Sequence, residues 1–188
     1  MGISIGAGSF NGNLHVSYLE NDRAENRIFY SIGGFYSLEV QENLHLSLDV
    51  GFIRKRQEVT IVYTDNDGIS GQYDAIHSLN YLAFSIGIEK SFSVFKKGYF
   101  TIAPGLSLQP LLIEKMELPQ LNEEWKLEKQ RESQTFSSGF VFLGYSFVLN
   151  STVILTPFVR ADIFIKEMTN NQLNWAGQVG FKIGFNFD

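Results

Sequence analysis

Cysteine is absent from the 188 residues, which excludes disulfides, thiolate metal ligands and cysteine nucleophiles. No uninterrupted apolar run reaches the ~18 residues that a membrane-spanning helix needs. Histidine occurs only as His15, His45 and His77, with no metal-ligand spacing between them. Basic residues are the minority, 15 Lys and Arg against 20 Asp and Glu, for a net charge of −5. No basic patch is interleaved with aromatics, so nucleic acid is not an expected partner. The N-terminus shows no basic segment leading into an apolar core, so an export signal would have to be already removed. Aromatic residues and glycine are what the chain has in quantity, with 17 Phe, 8 Tyr, 2 Trp and 17 Gly.

Where those residues fall decides the class. In the last stretch Val179, Phe181, Ile183, Phe185 and Phe187 alternate with Gln178, Gly180, Lys182, Gly184 and Asn186. A period of two means a strand, bulky on one face and small or polar on the other. Glycine on the small face indicates crowding there, so the bulky face looks outward, and a bulky outward face needs lipid. Alternation of lipid-facing and lumen-facing residues is the pattern of a transmembrane β-strand. It also explains a mean hydropathy of only −0.03.

The pattern recurs along the chain. Strand one holds Ile3, Ile5 and Ala7, and Leu14, Val16 and Tyr18 extend it beyond the membrane. Strand two spans Ile28 to Val40, then Gln41-Glu42-Asn43 turns into strand three, with Leu44, Leu46, Leu48, Val50 and Phe52 on one face. Strand three runs into the basic Arg54-Lys55-Arg56, TIVY (60–63) suggests that it continues past them, and a long loop follows, YTDNDGISGQYDAIH. Strand four puts Leu82, Phe84, Ile86 and Ile88 outward, and Phe95-Lys96-Lys97-Gly98 turns into strand five, Phe100 to Leu112. A polar stretch from Glu114 to Gln134 precedes strand six, about Phe136 to Leu149. Asn150-Ser151 leads into strand seven, Val153 to Ile165, and Glu167 to Asn174 connects to the strand that begins at Trp175.

Eight strands result, with connections alternating long and short. Outer-membrane barrels have short periplasmic turns, longer extracellular loops and an even strand number. The expectation is a single all-β domain over 1–188: a closed antiparallel eight-stranded up-and-down transmembrane β-barrel. Pro104, Pro110 and Pro157 fall within or near strands, where each forfeits a ladder bond, so a bulge or a locally opened pair is expected at each. The alternative is a soluble lipocalin-like barrel with its apolar face inward around a small apolar ligand. It would have to house far more bulky side chains than a small barrel's interior holds.

From GISIGAG to VGFKIGFNF, strand count, loop rhythm and the terminal aromatic strand resemble the eight-stranded outer-membrane β-barrel families, PorT-like and OmpA- or OmpX-like. The resemblance implies an exported protein of a Gram-negative outer membrane, in contact with its lipids and lipopolysaccharide. A terminal aromatic such as Phe187 resembles the signal read by the barrel-assembly machinery, although Asp188 follows it.

Inward parity assigns Glu39, Asp49, Glu89, Arg160, Asp162 and Lys182 to a lumen charge network, with Lys55 and Lys166 as further candidates. Counting residues from the short-turn end brings Asp49, Glu89, Arg160 and Lys182 together as a plug. Outward parity places Arg54 and Arg56 at the extracellular rim, where guanidinium suits lipid A phosphate. The stretch 114–134, with Leu118, Leu121, Trp125 and Leu127, is a candidate protein-partner loop or an extended hairpin. No cofactor or metal is expected. Some eight-stranded barrels modify lipid A, so a lipid A-modifying barrel enzyme is a further alternative, but His45 falls near a periplasmic turn, remote from the outer leaflet, and no convincing nucleophile shares the strand face of His15 or His77. The function expected is non-enzymatic: a sealed barrel that anchors, binds or assembles through its loops.

Overall fold

A computed structural model describes residues 1–11, 24–64, 70–95, 98–119, 123–126, 135–165 and 175–185. The strands are β1 (Gly2–Asn11), β2 (Ala24–Gln41), β3 (Leu44–Thr64), β4 (Ser70–Phe95), β5 (Gly98–Leu118), β6 (Glu123–Lys126), β7 (Thr135–Val148), β8 (Val153–Phe164) and β9 (Trp175–Phe185). Eight of them form a ring in the order β4-β3-β2-β1-β9-β8-β7-β5, closed by pairing of β4 with β5, while β6 pairs only with the end of β5. All pairings are antiparallel. The fold is therefore the closed antiparallel eight-stranded transmembrane barrel that the alternation predicts.

Each ring strand exposes apolar side chains to the outside, among them Ile5, Ile32, Val50, Ile86, Leu106, Val141, Val159 and Phe181. This is opposite to the distribution a lipocalin-like barrel requires, and the soluble alternative fails on it. Inside lie Ser47, Ser85, Ser107 and Ser138 together with the rings of Phe29, Tyr81, Phe140, Phe142 and Phe158, all buried.

Glycine and phenylalanine divide the interior between them. Gly105 pairs with Phe140 across β5 and β7, and a Cβ at Gly105 would collide with the Phe140 ring and with the Ile86 carbonyl. Gly180 pairs with Phe158 across β8 and β9, and a Cβ there would strike that ring and the Ile5 carbonyl. A ring laid over a cross-strand glycine fills the space the missing side chain leaves.

Each of the three strand prolines interrupts one ladder and leaves the other intact. The β4–β5 ladder skips Leu82 opposite Pro110 and Ile88 opposite Pro104, and the β7–β8 ladder skips Tyr145 opposite Pro157. On their other sides Pro104 pairs with Val141, Pro110 with Thr135 and Pro157 with Phe181. One missing N–H costs one side of the strand.

At one end of the barrel the connections are tight. Glu42 and Asn43 join β2 to β3, with Asn43 at φ 60°, a conformation Asn tolerates. Between β7 and β8, Asn150 Oδ1 accepts from the Thr152 and Val153 amides at 2.9 and 2.8 Å. At the other end β3, β4 and β5 rise above the apolar band, as expected for β3 and as the hairpin alternative has it for β5, whereas β4 and the start of β2 correct the sequence reading. Residues 70–77, assigned to a loop, are the start of β4, and 114–118 continue β5. Residues 24–27 likewise belong to β2. Period-two hydropathy fades where a strand leaves lipid, because both faces can then carry polar groups. Leu14–Tyr18, Asp67, Lys97, Lys166 and Phe187–Asp188 lie outside the described residues.

Candidate functional site

Among the described residues the charged groups of the lumen include Lys182, Arg160 and Lys55, which sit at successive heights. Nearest the tight-turn end, Lys182 on β9 places Nζ 3.1 Å from Asp49 Oδ1 on β3 and 3.7 Å from Glu89 Oε1 on β4. The rings of Phe35 and Phe142 flank the ammonium, each centroid 4.7 Å away. Ser37 Oγ donates to the other Glu89 oxygen at 3.4 Å. An ammonium between two carboxylates and two ring faces is compensated on every side.

In the middle, Arg160 on β8 grips Asp162 two residues along the same strand, Nε to Oδ2 at 2.9 Å and an Nη to Oδ1 at 2.7 Å. This is the fork geometry that makes guanidinium–carboxylate pairs strong. Ser138 Oγ also donates to Asp162, at 3.1 Å, and an Arg160 Nη donates to Ser85 Oγ at 3.3 Å. The guanidinium carbon lies 3.9 Å from the Phe140 centroid.

Towards the other end, Lys55 Nζ lies 4.5 Å from the Phe164 centroid, 4.7 Å from Tyr81, 5.0 Å from Phe136 and 5.8 Å from Phe10. Lys55 is only 4% exposed. Between these levels a void of about 70 Å³ remains, room for a few waters. Below Lys182 the lumen widens into a vestibule of about 1220 Å³ at the tight-turn end, lined by Ser91, Tyr99, Thr101, Ser146 and Thr156 among others.

The residues named from sequence thus separate. Asp49, Glu89 and Lys182 come together, whereas Arg160 pairs with Asp162, because a carboxylate two residues away on its own face satisfies both arms of its fork. Glu39 joins neither group: it is exposed at the vestibule rim, beside a register shift between Glu39 and Gln41. Arg54 is exposed and Arg56 half-buried, both on the outer face. The aromatic partners of the cations were missed in sequence, because a ring and the charge it covers come from strands distant in the chain.

His77 is 1% exposed in β4, above the Lys55 level. Its Nδ1 lies 3.2 Å from Gln57 Nε2, which can only donate, so Nε2–H donates to Glu114 Oε1 at 2.8 Å. Both ring nitrogens are engaged, and the flanking residues on its face are Ala75 and Leu79. Among the described residues no cluster of three acidic or histidine side chains could hold a metal.

No protein-family model matches the chain, and no curated protein does. Among solved structures, Neisserial surface protein A matches with a TM-score of 0.51 at 12% identity, over 99% of this chain and 96% of that one. The attachment invasion locus protein Ail of Yersinia pestis matches at 0.41 and 11% identity, over 99% and 98%. The translocator domain of the autotransporter NalP from Neisseria meningitidis matches at 0.41 and 13%, over 99% and 88%. The likeness to the first shows the fold. The chain is a transmembrane β-barrel of the outer-membrane kind, with the eight-stranded architecture of the OmpA- and OmpX-like barrels that its sequence resembles.

Proposed function

We propose that the protein is a non-enzymatic outer-membrane barrel whose lumen is closed, and that it acts as an anchor or binding component through the strands and loops above the membrane. One observation carries this: among the described residues, Lys182, Arg160 and Lys55 of the lumen are neutralised or covered by residues of the barrel itself, Lys182 by Asp49 and Glu89, Arg160 by Asp162, and Lys55 by four rings. A conducting pore would leave its charges hydrated and facing a path. The lumen of an eight-stranded barrel is only wide enough for its own side chains. In this reading the tight turns face the periplasm, and the extension built by β3, β4 and β5 faces out and receives partners, including any that the stretch 114–134 engages. Engagement of both His77 nitrogens supports a structural histidine over a catalytic one. Export would bring the chain to the barrel-assembly machinery. Planar-bilayer recording tests closure: the protein, shown to be folded by its heat-dependent gel mobility, is expected to give no steady conductance. Stable open channels would overturn the closed lumen.

A further inference from the structure

The register above the apolar band sorts the outer face into rows. Ile32, Phe52 and Leu82 stand in one apolar row across β2, β3 and β4. Two residues up, Tyr30, Arg54, Asn80 and Ile113 stand side by side across β2 to β5. The next row is Ile28, Arg56, Ser78 and Lys115, and the one above contains Glu58, Ile76 and Glu117. Basic residues therefore occupy two rows directly over the lipid-facing band, with acids beyond them. Lys115 belongs to this strip because of a register shift in β5. Tyr81 pairs with Leu111 but Asn80 with Ile113, so Leu112 is extra and every later residue of β5 changes face. Read without that bulge, Lys115 points into the lumen.

The Arg54 row stands at headgroup height, and the Arg56 row stands just outside it, from where long side chains can reach back to the phosphates. Arg54 lies two residues above Phe52 and Arg56 four. At ~3.3 Å per residue and a tilt of about 40°, these are rises of roughly 5 and 10 Å. The headgroup zone outside the ~30 Å hydrocarbon core is about 5–7 Å deep on each side. With strands ~4.8 Å apart, Arg56 and Lys115 flank Ser78 across about 10 Å. Ser78 is buried, and its hydroxyl has no hydrogen-bond partner within the described chain. A phosphate oxygen held between the two cations would satisfy it once the side chains that cover it part.

We infer that Arg54, Arg56 and Lys115, with Ser78 and Asn80 between them, form a binding strip for the phosphate of a lipid headgroup in the leaflet facing the extension. The guanidinium fork matches phosphate, and the neighbouring hydroxyl and amide add neutral donors. The acidic row above sets the upper limit of the strip by repelling anions that lie farther out. The inference rests on the proposal that the chain is a membrane barrel with this end outward.

The test uses the full chain folded in zwitterionic micelles and titrated with fluorescent lipid A, either phosphorylated or enzymatically dephosphorylated. Wild type is expected to bind the phosphorylated lipid at least about tenfold more tightly than the dephosphorylated one. The triple variant Arg54→Gln, Arg56→Gln, Lys115→Gln is expected to lose that preference, and Arg54→Lys with Arg56→Lys to keep part of it. Equal binding of both lipids by wild type, or an undiminished preference in the triple variant, overturns the strip. Displacement of the lipid by millimolar inorganic phosphate would make this a free-phosphate site and overturn the headgroup assignment. Heat-dependent gel mobility on the same samples separates the two failures: a wild type that shows no shift sinks the barrel proposal, whereas a shifted wild type without phosphate preference sinks the strip alone.

Discussion

At one end of the lumen the Lys55 ammonium is enclosed by the rings of Phe10, Tyr81, Phe136 and Phe164, while at the other Lys182 stands over a vestibule of about 1220 Å³. Both are buried lysines of one barrel, yet their surroundings differ in kind. Four aromatic rings stand around the first. Two carboxylates beside a hydroxyl-lined opening hold the second, and Asp49 and Glu89 keep 20% and 16% of their side-chain exposure. Side-chain packing is thus concentrated in the middle and upper lumen, and the tight-turn end is an open vestibule with hydroxyl groups in its lining. The difference follows from where aromatic residues fall on the inward face: Phe140 and Phe158 lie over glycines in mid-barrel, whereas Ser91, Thr101 and Ser146 hold the lower positions.

The two ion clusters give the largest expected effects. Asp162 is buried, with a side chain only 7% exposed, so Arg160→Met strands a carboxylate in the dry middle and should cost about 3–5 kcal/mol of unfolding free energy in urea. Lys182→Met strands carboxylates that the vestibule can hydrate. Its cost should be smaller, about 1–3 kcal/mol, and partly relieved by adding Glu89→Gln. A cost for Lys182→Met equal to or above that for Arg160→Met would mean that the tight-turn end is as closely packed as the middle.

Smaller effects come from a matched pair of glycines. A Cβ at Gly105 meets the Phe140 ring and the Ile86 carbonyl, whereas at Gly184, beside the vestibule, the nearest atom is 3.6 Å away. Gly105→Ala should destabilise by about 1–3 kcal/mol through overpacking. Gly184→Ala should be neutral or stabilise by about 0.5 kcal/mol, since alanine suits a strand better. Urea midpoints of the two variants measured side by side check this, and equal losses would contradict a crowded middle over an open end.

Much of this was legible in the sequence wherever a strand crosses lipid. The outward faces of β2 to β4, the Glu42–Asn43 turn and the outward parity of Arg54 and Arg56 all follow from alternation alone. The continuation of β3 was legible in Thr60–Tyr63 and that of β5 in the hairpin reading of 114–134, but the extension of β4 was not, because outside lipid the hydrophobic contrast between faces is lost and Gly, Asp and Asn read as loop. The pairing of Arg160 with Asp162 was within reach, being two residues apart on one face, but counting heights directed Arg160 toward Lys182's partners instead. The fit of Phe140 over Gly105 depends on cross-strand register, which no single strand reveals. The change of face at Leu112 is of the same origin, since a bulge is a relation between two strands.

The central claim is that this barrel is inverted relative to a soluble one, apolar outside and packed with charges and rings inside. Tryptophan quenching tests it directly. With Trp125 and Trp175 replaced by Phe, a lone tryptophan is placed by Phe181→Trp on the outer face or by Phe158→Trp in the lumen, and the folded proteins are reconstituted in brominated lipid. Bromine is expected to quench the Phe181→Trp emission strongly and to leave the Phe158→Trp emission close to its value in unbrominated lipid. Equal quenching of the two, or stronger quenching of the lumen site, would contradict the assignment of faces.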